Sequence, residues 1–259
     1  MRPGLFLLLA LSSSLAPMTR AAAPTVLHSF EQTLTKRVTY HYLLYLPDGY
    51  ETQPNRKWPV LFFLHGSGER GVDPWLVAKH GPPKLRRGGT TLSADEKASA
   101  QILAENFIVV APQCAPGDIW HDDETLALID QVKKNLRTDE GRTYLTGLSM
   151  GGFGTWTLGV RHPERFAAIV PICGGGEPLA TIIGPPAQRA ALITLGVWAF
   201  HGAKDPTVPL AESQRMIDWL KFAGAPDLKL TVYPEALHDS WTAAYANPEL
   251  YRWLLRHTR

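Results

Sequence analysis

Ser149 stands at the centre of Gly147-Leu148-Ser149-Met150-Gly151, after the strand-like run Arg142 to Thr146 and before a helix-like run that begins near Gly152. A serine with glycines two residues to either side, at a strand-to-helix junction, is the pattern of a nucleophile elbow. The turn is too tight for side chains at the flanking positions, and the serine hydroxyl is pushed outward toward a reactant. Three fixed residues in five recur by chance, so the context carries the weight. Tyr144, Leu145 and Leu148 read as a buried strand, and Phe153, Trp156, Thr157 and Val160 recur at helical spacing until His162-Pro163 stops the helix.

A serine hydroxyl is a poor nucleophile at neutral pH. It needs a base to accept its proton and a carboxylate to fix the tautomer of that base and stabilise the imidazolium. Of nine histidines, His238 suits the base best, because it follows the last strand-like run in the loop Pro234 to Asp239 and can approach the elbow. His65 and His201 adjoin glycines at strand ends and read as loop-shaping residues; His28, His41 and His257 lie in peripheral segments. For the carboxylate, Asp205 stands beyond a buried strand and before Pro206, in a turn that aims it inward. Asp239 is its rival, but a residue adjacent to the base has difficulty reaching the far imidazole nitrogen. The tetrahedral intermediate of acyl transfer also needs preorganised amide donors. The backbone N–H of Met150 supplies one, and that of Ser67, in His65-Gly66-Ser67-Gly68, supplies the other. No Gly-Lys-Ser or Gly-Lys-Thr completes a phosphate-cradling loop there.

These residues must be carried by a frame that brings distant loops to one edge. Residues 60–64, 107–111, 166–170 and 197–200 are continuous apolar runs, as in strands covered on both faces. Amphipathic patterns lie between them, including Leu126, Ile129, Val132 and Leu136, with Asp122 and Asp123 as capping candidates, and Met216, Trp219 and Leu220, ended by Gly224. Residues 25–34 and 38–46 read as an antiparallel start, residues 228–233 as a last strand and residues 249–257 as a closing helix. The expected class is α/β: a mostly parallel central sheet with antiparallel N-terminal strands and helices on both faces. Chemistry gathers at the carboxyl ends of such strands. There the sequence places His65-Gly66-Ser67-Gly68, the elbow, His201 to Asp205, and His238.

Four motifs together, Leu64 to Gly71, Gly147 to Gly154, His201-Gly202-Ala203-Lys204-Asp205 and His238-Asp239-Ser240-Trp241, resemble the α/β-hydrolase superfamily over essentially all of the mature chain. More narrowly they resemble secreted bacterial esterases, often labelled peptidases, related to dienelactone hydrolases and feruloyl esterases. The chain order Ser149, Asp205, His238 is the one such a fold carries. The resemblance implies a serine carboxylesterase acting through an acyl-enzyme on small or carbohydrate-linked esters, with no metal or organic cofactor. A serine peptidase and a noncatalytic binding protein on the same frame are the alternatives. Against the resembled group the stretch Gly174 to Leu195 is long, either a cover over the mouth or an ordinary crossover helix with a loop. Trp120 and Trp241 suit either an aromatic platform or core packing.

At the N-terminus, Arg2, the apolar run Leu5 to Leu11 and Ala21-Ala22-Ala23 make residues 1–23 a signal peptide, leaving 24–259 as one catalytic domain, secreted or periplasmic. The apolar run is too short to span a bilayer. Export would remove Arg2 and Arg20 and no acid, taking the formal net charge from +2 to zero, which does not draw the chain to nucleic acid. The local cluster Lys79, Lys84, Arg86 and Arg87 reads as a solvated loop. The two cysteines, Cys114 and Cys173, cannot staple a domain of 259 residues and read as buried free thiols rather than a disulfide.

Overall fold

Each continuous apolar run becomes a strand buried on both faces. The computed structural model describes residues 27, 29–88, 91–179 and 183–259. In it β1 (His41–Tyr45), β2 (Trp58–Leu64), β3 (Ile108–Gln113), β4 (Thr138–Leu148), β5 (Ala168–Ile172), β6 (Gly196–Gly202) and β7 (Leu228–Tyr233) form one sheet in the order β1-β3-β2-β4-β5-β6-β7. Every pairing is parallel except that of β1 with β3.

The two-residue period of the strands divides the core between the two faces of the sheet. Val60, Phe62 and Leu64 of β2 join one cluster, with Ile129 of α3 (Asp122–Asn135), Trp156 of α4 (Met150–Arg161) and Met216 of α6 (Ala211–Phe222). Leu61 and Phe63 face the other, with Leu103 of α2 (Ala94–Asn106) and Tyr251 and Leu254 of α8 (Pro248–Arg256). Shorter helices, α1 (Gly81–Arg86), α5 (Pro186–Leu192) and α7 (Trp241–Ala246), complete the two layers. The start of α2 follows local chemistry: Ser93 and Glu96 close a reciprocal capping box on it.

The antiparallel start is shorter than the sequence suggests. The chain divides into two units, 1–37 and 38–259. Within the first, residues 29–34 form no strand, and Leu27, Phe30 and Leu34 are exposed. Leu27 and Phe30, three apart, would point to opposite faces of a strand, so no single face could bury all three. Residues 25, 26 and 28, like the expected signal peptide 1–23, lie outside the described residues. Asp122 and Asp123 also prove to be first-turn residues of α3, whose N-cap is His121.

In the long stretch after β5, α5 packs at the far end of α4 from Ser149: Leu192 is buried, and the Gln188 side chain donates to the Val160 carbonyl at 2.7 Å. This helical part is a crossover helix and no cover over the mouth. The basic cluster is split: Lys79 and Arg87 are exposed, whereas Lys84 and Arg86 are tied into the fold. Lys84 pairs with Glu96 at 2.7 Å, Arg86 donates to the Leu46 carbonyl at 3.0 Å, and Arg87 lies over the Trp75 ring. Cys114 and Cys173 are free and buried.

Candidate active site

Steric necessity places Ser149. It joins β4 to α4 with φ 51° and ψ −117°, a backbone region that costs a non-glycine residue about 1–3 kcal/mol and is held only where its surroundings enforce it. Two backbone bonds enforce it here, Ser149 N–H to the Ile172 carbonyl and Phe153 N–H to the Ser149 carbonyl, each 3.0 Å. A Cβ at position 147 would lie 2.3 Å from the Gly151 carbonyl oxygen, and one at 151 would lie 1.9 Å from that of Leu64. Glycine at both positions is therefore a packing requirement. The same closeness presses the first turn of α4 against the loop that follows β2.

The ends of β6 and β7 bring the other two residues in. A Cβ at Gly202 would come within 2.1 Å of the Leu237 carbonyl oxygen. Ala203 N–H donates to Tyr233 and Lys204 N–H to Ala236, at 2.9 and 3.1 Å. These contacts stitch the Asp205 turn to the His238 loop. His238 Nδ1 lies 2.7 Å from Asp205 Oδ2, and His238 Nε2 lies 2.9 Å from Ser149 Oγ. Because the carboxylate only accepts, Nδ1 carries the proton and Nε2 is free to accept from the serine hydroxyl.

Asp205 is dressed on both oxygens. Its Oδ1 accepts from Thr207 N–H at 2.8 Å and Val208 N–H at 2.9 Å. Burial alone raises a carboxyl pKa, but the His238 hydrogen bond and the two amides outweigh it and hold Asp205 below its ordinary value. The rival Asp239 is engaged elsewhere: just before α7 it accepts from Thr242 N–H and from the Thr242 hydroxyl, each at 3.0 Å. His201 is wholly buried, 2.8 Å from the Val208 carbonyl and 3.4 Å from Asp205 Oδ2, so it shapes the turn that presents the carboxylate.

Met150 is the first residue of α4, and Ser67 is the first residue of a short 3-10 turn, Ser67–Glu69, after β2. Among the described residues neither amide donates to a protein acceptor. The loop around Ser67 is pinned from several sides that sequence reasoning did not assign. Arg70 donates to the Ser67 carbonyl at 2.9 Å and to that of Asp118 at 3.3 Å. The buried Gln113 side chain donates to the carbonyls of Glu69 and Asp73, each at 2.8 Å. A glutamine ending an otherwise apolar strand was the available signal, because a buried amide needs partners.

His65 anchors the same loop as a neutral ring. Cys114 N–H donates to His65 Nε2 at 3.0 Å, and His65 Nδ1 lies 2.6 Å from the Gly66 carbonyl, so the proton sits on Nδ1. Burial pushes its pKa down from the ordinary 6.5 to about 4, and the Gly66 carbonyl only partly opposes this. A depressed histidine pKa gives stability that is complete above about pH 6.5 and is lost as pH falls toward about 4, with a full span of about 3 kcal/mol. Denaturant unfolding at pH 7.5 and pH 4.5 is expected to show a larger loss for the wild type than for His65→Gln. Equal losses would remove His65 from this account.

Aromatic side chains flank the site. The Trp241 ring meets that of His238 edge-on at 5.4 Å. Trp120 is buried, and its indole N–H donates to the His65 carbonyl at 3.0 Å. Cys173, directly after β5, holds a φ of 40° without being glycine and is fully buried, a backbone feature that sequence did not disclose. Among the described residues no group of three or more His, Cys, Asp and Glu could hold a metal, and no helix is long and apolar enough to cross a membrane.

Residues 35–208, more than half of the chain, match the model of the family described as “Putative esterase”; Ser149 and Asp205 lie inside the match and His238 beyond it. A poly(3-hydroxyalkanoate) depolymerase C of Paucimonas lemoignei is 34% identical over 134 residues, covering 44% of this chain and 31% of its own. Feruloyl esterase C of Emericella nidulans is 27% identical over 193 residues, 70% of this chain and 62% of its own. The chain thus spans less than two thirds of the length of either relative. Among solved structures, a thermostable esterase superposes with a TM-score of 0.66 at 32% identity, over 84% of this chain and 59% of its own.

Proposed function

This chain belongs to the esterase family and has the α/β-hydrolase fold, and on that premise we propose that it hydrolyses carboxylic esters with Ser149 as nucleophile, His238 as general base and acid, and Asp205 as the carboxylate that orients His238. The observation that carries the reading is the unbroken relay, 2.9 Å from Ser149 Oγ to His238 Nε2 and 2.7 Å from His238 Nδ1 to Asp205 Oδ2.

The chemistry follows from the atoms. Ser149 Oγ attacks the ester carbonyl while its proton passes to His238 Nε2, and Asp205 stabilises the imidazolium so formed. Charge on the former carbonyl oxygen falls to the amides of Met150 and Ser67, which have no protein acceptor to give up. His238 returns the proton to the departing alcohol, leaving an acyl-serine. Water, activated by the same imidazole, releases the acid. The protons pass through His238 alone, from Ser149 to the alcohol and from water back to Ser149, and Asp205 takes none.

Small or carbohydrate-linked esters are the proposed substrates, and relatives named as esterases favour an ester over an amide. With residues 1–23 as a signal peptide and 24–259 as one catalytic domain, the reaction takes place outside the cytoplasm. Purified protein offered nitrophenyl esters and peptide nitroanilides side by side is expected to turn over the esters alone. Anilide turnover exceeding ester turnover would make it a peptidase, and a Ser149 that takes no fluorophosphonate adduct would make it a binding protein.

A further inference from the structure

Acyl transfer assigns the two halves of an ester to opposite sides of Ser149; this inference rests on the serine esterase reading. When the tetrahedral adduct collapses, the bond from carbonyl carbon to alcohol oxygen breaks and that oxygen takes the proton from His238 Nε2. The alcohol half must therefore leave beside the 234–242 loop, where Trp241 borders His238 and His80 packs edge-on against Trp241 at 5.5 Å. The acyl half, still bonded to Ser149 Oγ, extends away from that loop. Between the first turns of α4, which begins at the residue after Ser149, and the segment before α3, a cavity of about 420 Å³ is lined by Ile119, Trp120, Met150, Phe153, Gly154 and Thr157, and by no residue of 234–242.

We infer that this cavity is the acyl pocket, and that it takes an uncharged, apolar acyl group several carbons longer than acetyl. Phe153, whose N–H bonds the Ser149 carbonyl, and Ile119 across the cavity leave 40% and 53% of their surface in water, where a bound apolar chain would cover them. The floor is rigid: Trp120 is held by its indole N–H, stacks on Tyr40 at 6.2 Å and meets the His65 ring at 4.9 Å. Glycine at 154 allows this, since a Cβ there would lie 2.9 Å from that of Trp120. No charged side chain lines the walls, and Thr157 brings their only side-chain hydroxyl. At roughly 30 Å³ of liquid volume per water, the space holds on the order of a dozen waters, and an acetyl methyl would leave most of it wet.

The test holds the leaving group fixed and varies the acyl chain: nitrophenyl acetate, butanoate and hexanoate. Each buried methylene is worth roughly fourfold in kcat/KM, so hexanoate is expected to exceed acetate by on the order of a hundredfold. Thr157→Phe, which places a ring in the cavity, is expected to lower hexanoate kcat/KM at least about tenfold more than acetate kcat/KM. Phe153→Ala, removing a partly exposed wall, shifts the ratio in the same direction and serves if the larger side chain prevents folding. A flat wild-type series with measurable acetate turnover, or equal losses on both substrates in the variants, overturns the pocket and leaves the esterase reading standing. Failure to turn over any ester defeats that reading itself.

Discussion

Ser149→Ala is expected to lower kcat on a short-chain nitrophenyl ester by at least about 10⁴-fold, leaving only what amide donors and binding can supply without a nucleophile. The position is held by its backbone. Its N–H donates to Ile172 and its carbonyl accepts from Phe153, and neither bond involves the hydroxyl. Among the described residues the hydroxyl makes one hydrogen bond, 2.9 Å to His238 Nε2. Removing it therefore takes away the reacting atom while the elbow keeps its shape, and thermal unfolding should move little. Activity of clean Ser149→Ala protein within tenfold of the wild type would refute the assignment, because no other described side chain is placed by this relay to attack.

Asp205→Asn tests the relay from its other end, with an expected loss in kcat of about 10⁴-fold, the scale seen when a triad aspartate is made neutral in other proteins. Geometry fixes how the amide must sit. Thr207 N–H and Val208 N–H both point at the Oδ1 position and require an acceptor there, so the asparagine carbonyl takes that place. Its NH₂ then replaces Oδ2, the atom 2.7 Å from His238 Nδ1. Two donors cannot face one another, so the imidazole shifts its proton to Nε2 and loses the lone pair that accepts from Ser149. The variant folds, since both backbone donors keep a partner, yet its base is in the wrong tautomer. A kcat within tenfold of wild type, in a variant whose unfolding midpoint is unchanged, would show that Asp205 does not set that tautomer.

Much of this was legible because it is dictated over short stretches of chain. Gly147, Ser149 and Gly151 specify a turn that tolerates no Cβ at its flanks, and the continuous apolar runs specify strands covered twice; both follow from sterics and burial acting between near neighbours. Residues 29–34 form no strand, because Phe30 and Leu34 are their only apolar residues and leave little to bury. The loop around Ser67 was only half visible. Its glycines marked close approach, but the partners that hold it, Arg70, Gln113 and a neutral His65, act through contacts that sequence spacing does not encode.

The choice between Asp205 and Asp239 marks the boundary. By sequence alone the chain fixed the serine, the class of sheet and the set of strand ends where chemistry could gather, because those follow from residue volume, periodicity and backbone freedom. The sequence favoured Asp205 over Asp239, but the 2.7 Å from Asp205 Oδ2 to His238 Nδ1 and the burial that keeps His65 neutral exist only once Gly202 has come against Leu237 and α4 against the loop after β2. Hydrogen bonds act over about 3 Å, and distances of that kind between residues dozens of positions apart exist only once the sheet has set its strand order.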